Sequence, residues 1–364
     1  MAKSHDVYGK LIGILVAWWI LLPFDYWLID PIMKGIQWPF KKLFLFFEPT
    51  AVFETDTYGM LWLSVFSIAL GLIMHAFVTR IFRNLTISKA HFQQVSSWIL
   101  AFFLLKYGWD KIVLLQFYKP APNILYTNFG YLSQDIAFWS LIGSNPGLSR
   151  FIGGTELIVG ILMLLPRFRF LGATLSAGIF AIIVGINFSF DISVKQLSFS
   201  LLFWSSALVL SYPEKWKLLL GFSSQIDLPN HAKSNYKLAI PVLLIIGIES
   251  FSSTLQTGNF NFQNDQPIVN TKAYVIVDHP KYTAVFTHPQ GFLILEDKAR
   301  EKRDFPIEHP FRKNVDTLSC SIGSLILSKH LFIQDKQVYP LKTLPINELP
   351  VLKNEMHLFS DQFH

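Results

Sequence analysis

The sequence predicts an all-α helical bundle in a membrane, with about seven transmembrane helices, followed by a small, mainly-β soluble domain. Hydrophobic residues make up 51% of the 364 residues and charged residues only 15%, whereas a soluble protein carries about 25% charged residues. Apolar runs long enough to cross a bilayer fill residues 9–252. Beyond residue 252 the apolar runs become short and alternate with turn-forming residues.

A membrane-crossing helix needs about 20 mostly apolar residues, and seven runs approach that length. The first run lacks a small-residue cleavage site, so we interpret it as a retained helix and not as a signal peptide. The fourth and the seventh runs are short. The seven predicted spans are Gly9–Ile29, Tyr58–Val78, Val95–Phe117, Ser149–Leu165, Phe168–Phe188, Val194–Tyr212 and Tyr236–Phe251.

Basic residues in alternate loops predict the orientation of these spans. They follow span two, separate spans four and five, and lie between spans six and seven, which places all three loops on the cytoplasmic side by the positive-inside rule. We therefore expect a bacterial inner (cytoplasmic) membrane protein with a cytoplasmic amino terminus and a periplasmic carboxyl-terminal domain. Three lysines of the first outer loop run against this rule. The supporting residues are Arg80, Arg83, Lys89, Arg167, Arg169, Lys215, Lys217, Lys233 and Lys237, and the opposing ones are Lys34, Lys41 and Lys42.

The first outer loop is itself apolar between Trp38 and Phe47, but it is too short to cross the bilayer. Two interpretations stay open. The segment forms an amphipathic helix in the membrane interface, with Lys41 and Lys42 on its wet side, or it forms a loop that packs over the bundle.

The chain divides into a transmembrane helical domain at 1–255, a polar linker at 256–270 and a periplasmic mainly-β domain at 271–364. Residues 297–304 carry mixed charges and are interpreted as a solvated loop or helical turn. The predicted strands, bounded by His-Pro, Pro-Gln-Gly and charged breaks, are Ala273–Val277, Thr283–Thr287, Phe292–Leu295, Leu318–Leu327 and Leu331–Gln334.

Charged and amide residues gather at corresponding depths near the outer side of the membrane domain. A charge at membrane depth costs at least a few kcal/mol, so such a cluster predicts a function or a pairing role. Its members, which we expect to form an outward-facing polar pocket, are Lys106, Asp110, Lys111, Gln116, Glu156, Asn187, Asp191 and Lys195.

Spacing along the helices predicts two ion pairs in this cluster. Lys106 and Asp110 are four residues apart and share a helical face. Lys111 precedes the outer end of span three by nearly as many residues as Glu156 follows the outer start of span four, so two antiparallel neighbours would hold them at about one depth. Asn187, Asp191 and Lys195 can line the rim of the pocket. The alternative is that the paired charges only fix helix register, because buried ion pairs are weak indicators of catalysis.

Four motifs occur in a fixed order in spans three to six. They are Tyr107-Gly-Trp109-Asp110-Lys111 with Gln116-Phe117, Phe151-Ile-Gly-Gly-Thr-Glu156, Arg167-Phe-Arg-Phe-Leu-Gly172, and Asn187-Phe-Ser-Phe-Asp191-Ile-Ser-Val-Lys195. In order and spacing the chain resembles the DoxX-like integral membrane protein family over residues 95–212, and most of all its longer Bacteroidetes-type members with an exported carboxyl-terminal domain. The resemblance implies a four-helix membrane core and, as in some relatives, a small subunit of a quinone-linked oxidoreductase. The extra spans at both ends depart from the short family pattern.

Residue types exclude several other classes of function. The single cysteine, Cys320, allows no disulfide within the chain and no CxxC redox motif. Nucleophile elbows, phosphate loops and dinucleotide fingerprints do not occur, and the basic residues of the loops set topology rather than bind nucleic acid. The tail histidines have neither i, i+2 nor i, i+4 spacing, and His-Pro is ordinary turn chemistry, so we predict no metal site. The tail histidines are His279, His288, His309, His330, His357 and His364.

Two functions of different classes remain. In the first, a quinone head group enters from the outer leaflet and meets Lys111, Glu156 and Asp191, with Tyr107 and Trp109 packed beside it. In the second, the protein is a non-enzymatic assembly or transport component that is anchored in the lipid bilayer and whose exported domain binds a periplasmic or membrane protein partner. A weaker analogy joins the chain to the membrane carboxylases that act on vitamin K, but no matching catalytic motif is present. No catalytic residue is assigned.

Overall fold

The computed structural model describes residues 2–21, 30–53, 56–82, 87–117, 120, 122–125, 129, 132–219, 239–256, 272–288, 292–298 and 308–344. All regular structure before residue 257 in these ranges is helical, and all regular structure after it is strand, which confirms a helical region followed by a mainly-β tail. The helices are α1 (Ala2–Leu21), α2 (Asp30–Phe47), α3 (Tyr58–Ile81), α4 (Lys89–Ile112), α5 (Pro122–Leu125), α6 (Gln134–Gly143), α7 (Pro146–Leu164), α8 (Arg169–Ser189), α9 (Lys195–Leu210), α10 (Pro213–Leu219) and α11 (Ala239–Gln256).

Within the described residues, three helices are long and apolar enough to cross a membrane: α3, α7 and α8. Two shorter apolar stretches, Val7–Leu21 of α1 and Leu243–Ser252 of α11, fall on the predicted first and last spans. The sixth predicted span corresponds to α9, which has only 16 helical residues. The third corresponds to α4, which is long but carries three charged residues in its second half. The count of seven spans therefore stays a prediction.

The surface of α3 is apolar where a water-soluble helix would be polar. Large side chains such as Trp62, Ile73 and Phe77 are exposed on it. Its buried face instead carries Ser67, His75 and two glycines beside Met60 and Leu63. An exposed stripe of large apolar side chains is the pattern of a helix whose solvent is hydrocarbon.

The first and third helices touch through glycines. A side chain at Gly13 would collide with the backbone of Gly71, and one at Gly9 would collide with the ring of His75. Gly9 and Gly13 form a GxxxG spacing, which allows two membrane helices to approach backbone to backbone.

Helix α4 lies at the centre of the helical region, because α1, α8, α9 and α11 all pack against it. Its residues from Ile99 to Lys106 are buried without interruption. The charged residues in the second half of this helix, Lys106, Asp110 and Lys111, are therefore buried among protein atoms.

The chain forms two compact units, one of residues 1–116 and 150–260 and the other of residues 117–149 and 261–364. The second unit thus combines the loop between predicted spans three and four with the β tail. Within it, α5 packs against the first strand of the tail.

The tail forms a nine-stranded antiparallel sheet in the order β4-β3-β2-β1-β9-β8-β7-β6-β5. Only Phe311 separates the two edge strands β4 and β5 in the sequence, so the edges of the sheet lie beside each other and the domain is barrel-like. Its interior is filled by apolar side chains that include Tyr274, Val285 and Phe332. The strands are β1 (Lys272–Ile276), β2 (Tyr282–His288), β3 (Phe292–Asp297), β4 (Glu308–Pro310), β5 (Arg312–Asn314), β6 (Thr317–Cys320), β7 (Gly323–Ile326), β8 (Leu331–Gln334) and β9 (Gln337–Leu344).

One predicted strand is wrong in detail. The run Leu318–Leu327 is a hairpin of β6 and β7, because Cys320 pairs with Gly323 across a two-residue turn. Most of the predicted linker, the mixed-charge residues from 299 to 304, His357 and His364 lie outside the described residues.

Candidate functional site

Two glycines bring α4 and α7 into backbone contact. A Cβ atom at Gly108 would lie 2.8 Å from the carbonyl oxygen of Gly153, and one at Gly153 would collide with the carbonyl oxygen of Gly108. The same positions touch Glu156 and Lys111, since a Cβ at Gly108 would meet Glu156 Cβ at 3.1 Å and one at Gly153 would meet Lys111 Cβ at 2.9 Å. The absence of side chains at the crossing therefore places the two charged residues side by side.

Lys111 and Glu156 form a buried ion pair at this crossing. Lys111 Nζ donates a hydrogen bond of 2.7 Å to Glu156 Oε2. The two residues are only 5% and 2% exposed, so the pair is shielded from water and each charge depends on the other. The matched depths in the sequence placed these residues together, and the structure brings them into contact.

A second buried pair lies one turn away on the same helix. Lys106 Nζ donates to both carboxylate oxygens of Asp110, at 2.8 and 2.6 Å. Tyr107, which follows Lys106 and is half-buried, has its ring centre 5.5 Å from Lys111 Nζ and stacks on Phe103. Trp109 is also half-buried on α4. Both predicted aromatic residues are thus on the helix that carries the charges.

The three rim residues lie around the turn between α8 and α9. Lys195 Nζ donates to Asp191 Oδ1 at 2.7 Å, and this exposed carboxyl has a pKa below its usual value because of that hydrogen bond. Asp191 has a φ of 51°, which a short polar side chain tolerates. Asn187 is buried in the last turn of α8. The structure therefore joins Asp191 and Lys195 to each other, and their place at the mouth of a shared pocket stays a prediction.

Asp56 contacts the same turn, and it is not among the residues that the sequence analysis singled out. Its carboxylate accepts hydrogen bonds from the backbone N–H groups of Lys195 and Gln196, at 2.9 and 2.8 Å, and lies 3.8 Å from Lys195 Nζ. It thereby caps the N-terminus of α9, where a negative charge is favourable. A residue 139 positions away in sequence gives no local signal of such a role.

Two amide side chains of the predicted pocket carry buried atoms without a hydrogen-bond partner among the described residues. They are Nδ2 of Asn187, a donor, and Oε1 of Gln116, an acceptor. Buried polar atoms are normally satisfied by protein, water or ligand. Each atom therefore has hydrogen-bonding capacity that a water molecule or a ligand could use.

An apolar cavity of about 160 Å³ lies between α1, α4 and α11. Its walls include Trp19, Trp98, Phe102 and Ile245, and no charged residue lines it. Phe102 is four residues from Lys106, so the cavity and the Lys106–Asp110 pair occupy neighbouring turns of one face of α4.

The histidine of the first His-Pro pair has a structural role. Nδ1 of His279 accepts hydrogen bonds from the N–H groups of Lys281 and Tyr282, and Nε2 bonds Gln334 Oε1 at 2.9 Å. With both ring nitrogens engaged, this side chain is not available as a metal ligand. No group of three metal-binding side chains occurs in the part of the chain that the structure describes.

Comparison with known proteins gives one partial similarity. No protein-family model and no solved structure matches the chain. An uncharacterized protein of Bacillus subtilis (strain 168), YwoB, is 36% identical over 100 residues, which are 27% of this chain. The chain spans 62% of the length of that relative.

Proposed function

We propose that the protein is a multi-pass inner-membrane protein of the DoxX-like type, with an outward-facing polar pocket that serves a quinone-linked oxidoreductase as a subunit. The observation that carries the proposal is the buried Lys111–Glu156 pair beside the Tyr107 ring. A pair of this kind, held on packed helices at membrane depth, is characteristic of proton and substrate pathways.

The residues present fit a quinone. Its head group needs hydrogen-bond donors and an aromatic surface, which Lys111, Asn187 Nδ2 and Tyr107 offer. Its isoprenoid tail needs an apolar channel, and the cavity beside Phe102 has that chemistry. When bound, a quinone supplies two-electron, two-proton redox chemistry. The part of this chain would be to hold the head group by hydrogen bonds, exclude water, and exchange a proton at Glu156 Oε2.

The proposed topology places the quinone site on the periplasmic side. The loop between spans three and four belongs to the same compact unit as the tail, and α5 of that loop packs against β1. Segments that pack together lie on one side of a membrane. This supports the assignment of the loop and the tail to one common side, and the three basic loops predict that it is the periplasmic side.

The second candidate is a non-enzymatic assembly or transport component. Each buried charge of α4 is satisfied by its own partner, Lys106 by Asp110 and Lys111 by Glu156. Charges whose only role is to fix the packing of the helices would be paired in the same way. In that case the exported domain would bind a periplasmic or membrane protein partner.

Co-purification decides between the two candidates. The protein is purified in mild detergent, its ultraviolet–visible spectrum is recorded, and its lipid extract is analysed by mass spectrometry. We expect quinone near stoichiometric amounts, and its loss in Lys111→Met but not in the surface control Lys89→Met. Quinone no more abundant than in an unrelated membrane protein from the same cells, together with a stable protein partner, would support the second candidate instead.

A further inference from the structure

The first outer loop forms the helix α2, whose side chains fall into three stripes. Residues three, four or seven apart share a helix face. The stripes are a bundle-facing one (Gln37, Phe40 and Phe44), an apolar one (Ile32, Ile36, Leu43, Phe46 and Phe47) and a basic one (Lys34, Trp38, Lys41 and Lys42).

The bundle-facing stripe ties α2 to the membrane helices. Gln37 Nε2 donates to the carbonyl oxygen of Ile20, one residue before α1 ends. The rings of Phe40 and Phe66 are 5.7 Å apart, and those of Phe44 and Trp62 are 6.0 Å apart. Helix α2 therefore lies where α1 ends and α3 begins, which is the outer boundary of the proposed bilayer.

The apolar stripe is exposed and continues a surface that faces lipid. Phe46 and Phe47 are 81% and 74% exposed. Through Phe44, α2 adjoins Trp62, which belongs to the exposed apolar face of α3. Aromatic side chains are enriched in membrane proteins at the boundary between head groups and acyl chains.

The basic stripe lies on another side of the same helix. Lys34 and Lys42 are exposed, and Lys42 Nζ lies 4.5 Å from the centre of the exposed Trp38 ring. Three lysines against one aspartate give α2 a net positive charge. These lysines are also the ones that oppose the positive-inside rule.

We propose that α2 is a binding surface for anionic phospholipid head groups of the outer leaflet. The apolar stripe enters the acyl boundary, and the basic stripe, about a quarter to a half turn around the helix, meets the phosphates. Continuity with the exposed face of α3 selects a lipid surface over a protein partner. The inference rests on the membrane location and orientation proposed above, but not on the quinone.

Native mass spectrometry of the full chain in detergent tests it, with equal amounts of phosphatidylglycerol and phosphatidylcholine added. One variant combines Lys34→Gln, Lys41→Gln and Lys42→Gln. The matched control combines Lys298→Gln, Lys329→Gln and Lys336→Gln, three exposed lysines of the tail. Since one lysine near an anionic surface contributes about a fivefold preference, we expect wild type and control to retain phosphatidylglycerol preferentially. The α2 variant should lose at least about fivefold of that preference.

Each other outcome overturns a definite part of the inference. An unchanged preference in the α2 variant, or equal retention of both lipids by wild type, shows that α2 is not the anionic-lipid surface. Displacement of the bound lipid by inorganic phosphate shows that the lysines bind free phosphate.

Recovery of the wild-type protein in soluble form without detergent refutes the membrane location itself. If the triple variant fails to fold, Lys42→Gln alone gives the same comparison. Quinone content should be the same in all variants, which separates this test from that of the proposed function.

Discussion

Lys111 and Glu156 show how an ion pair can be both costly and necessary. Moving two charges from water into a packed interior costs several kcal/mol for each, and their attraction offsets this only when the geometry is good. The 2.7 Å hydrogen bond between them meets that requirement. Removing one partner leaves the other charge buried alone, which is worse than removing both.

We therefore expect Lys111→Met and Glu156→Gln each to lower the free energy of unfolding by roughly 3–5 kcal/mol. The double variant should recover part of that loss, as measured by thermal unfolding and by the yield of monodisperse protein on size-exclusion chromatography. The control pair Lys89 and Glu214 is 3.1 Å apart with side chains 33% and 38% exposed, so its variants should change stability by no more than about 1 kcal/mol. Additive losses without recovery would mean that Lys111 and Glu156 act independently.

This pair was predictable from the sequence because both partners stand at matched depths in neighbouring spans. The role of Asp56 was not predictable in this way, because its partners are backbone N–H groups that no side-chain pattern reports. The orphan amide of Asn187 is likewise a property of packing, visible only once the neighbours are known.

The close approach of α4 and α7 depends on two glycines, Gly108 and Gly153, which have no side chains at the point of contact. Gly153→Ala places a methyl group against the backbone of Gly108, which must move, so we expect a loss of about 1–3 kcal/mol. Gly154→Ala, at the next position, meets nothing within 4 Å and should be neutral or stabilising by up to about 1 kcal/mol. Thermal unfolding of both variants in detergent checks the contrast. Equal effects would show that the close approach is not needed.

The hairpin between β5 and β6 contains strain that a single substitution can relieve. Val315 has a φ of 48°, a region that costs a β-branched residue about 1–2 kcal/mol, and its side chain is 91% exposed. Val315→Gly should therefore stabilise the hairpin by about 0.5–1 kcal/mol after the extra backbone entropy of glycine. Slower hydrogen exchange in peptides that cover β5 and β6 is the expected result, with Val338→Gly on β9 as the control that should not slow exchange. Faster exchange in Val315→Gly would contradict this account.

Strand pairing was harder to predict than the helices. The helical region follows from long apolar runs, which leave little choice of structure. The run Leu318–Leu327 was predicted to be one strand, although it forms two. The reason is that its turn, Ser321 and Ile322, contains no glycine or proline to indicate a break. The three-residue strands β4 and β5 are too short to show alternation at all.

At the scale of the whole molecule, the single cysteine offers a natural test of topology. Cys320 is half-buried in the tail, with its thiol directed at the carbonyl oxygen of Gly323. A membrane-impermeant maleimide should label it in intact spheroplasts, since the tail is proposed to be periplasmic. The control is Cys320→Ser with Arg167→Cys, whose new thiol lies in the exposed turn between α7 and α8 and should react only after permeabilisation. The reverse pattern would invert the proposed orientation.

The central position of β9 governs the order in which the tail can be completed. Strand β9 pairs with β1 on one side and with β8 on the other, so it is the only link between the two halves of the described sheet. Ala273 of β1 pairs with Leu344 of β9, and these two residues lie near opposite ends of the described part of the tail. During synthesis β9 is the last of these strands to leave the ribosome, and until then no strand pairs β1 with β8. A stop codon anywhere before residue 337 would therefore leave two open sheet edges exposed to aggregation instead of a slightly shorter barrel.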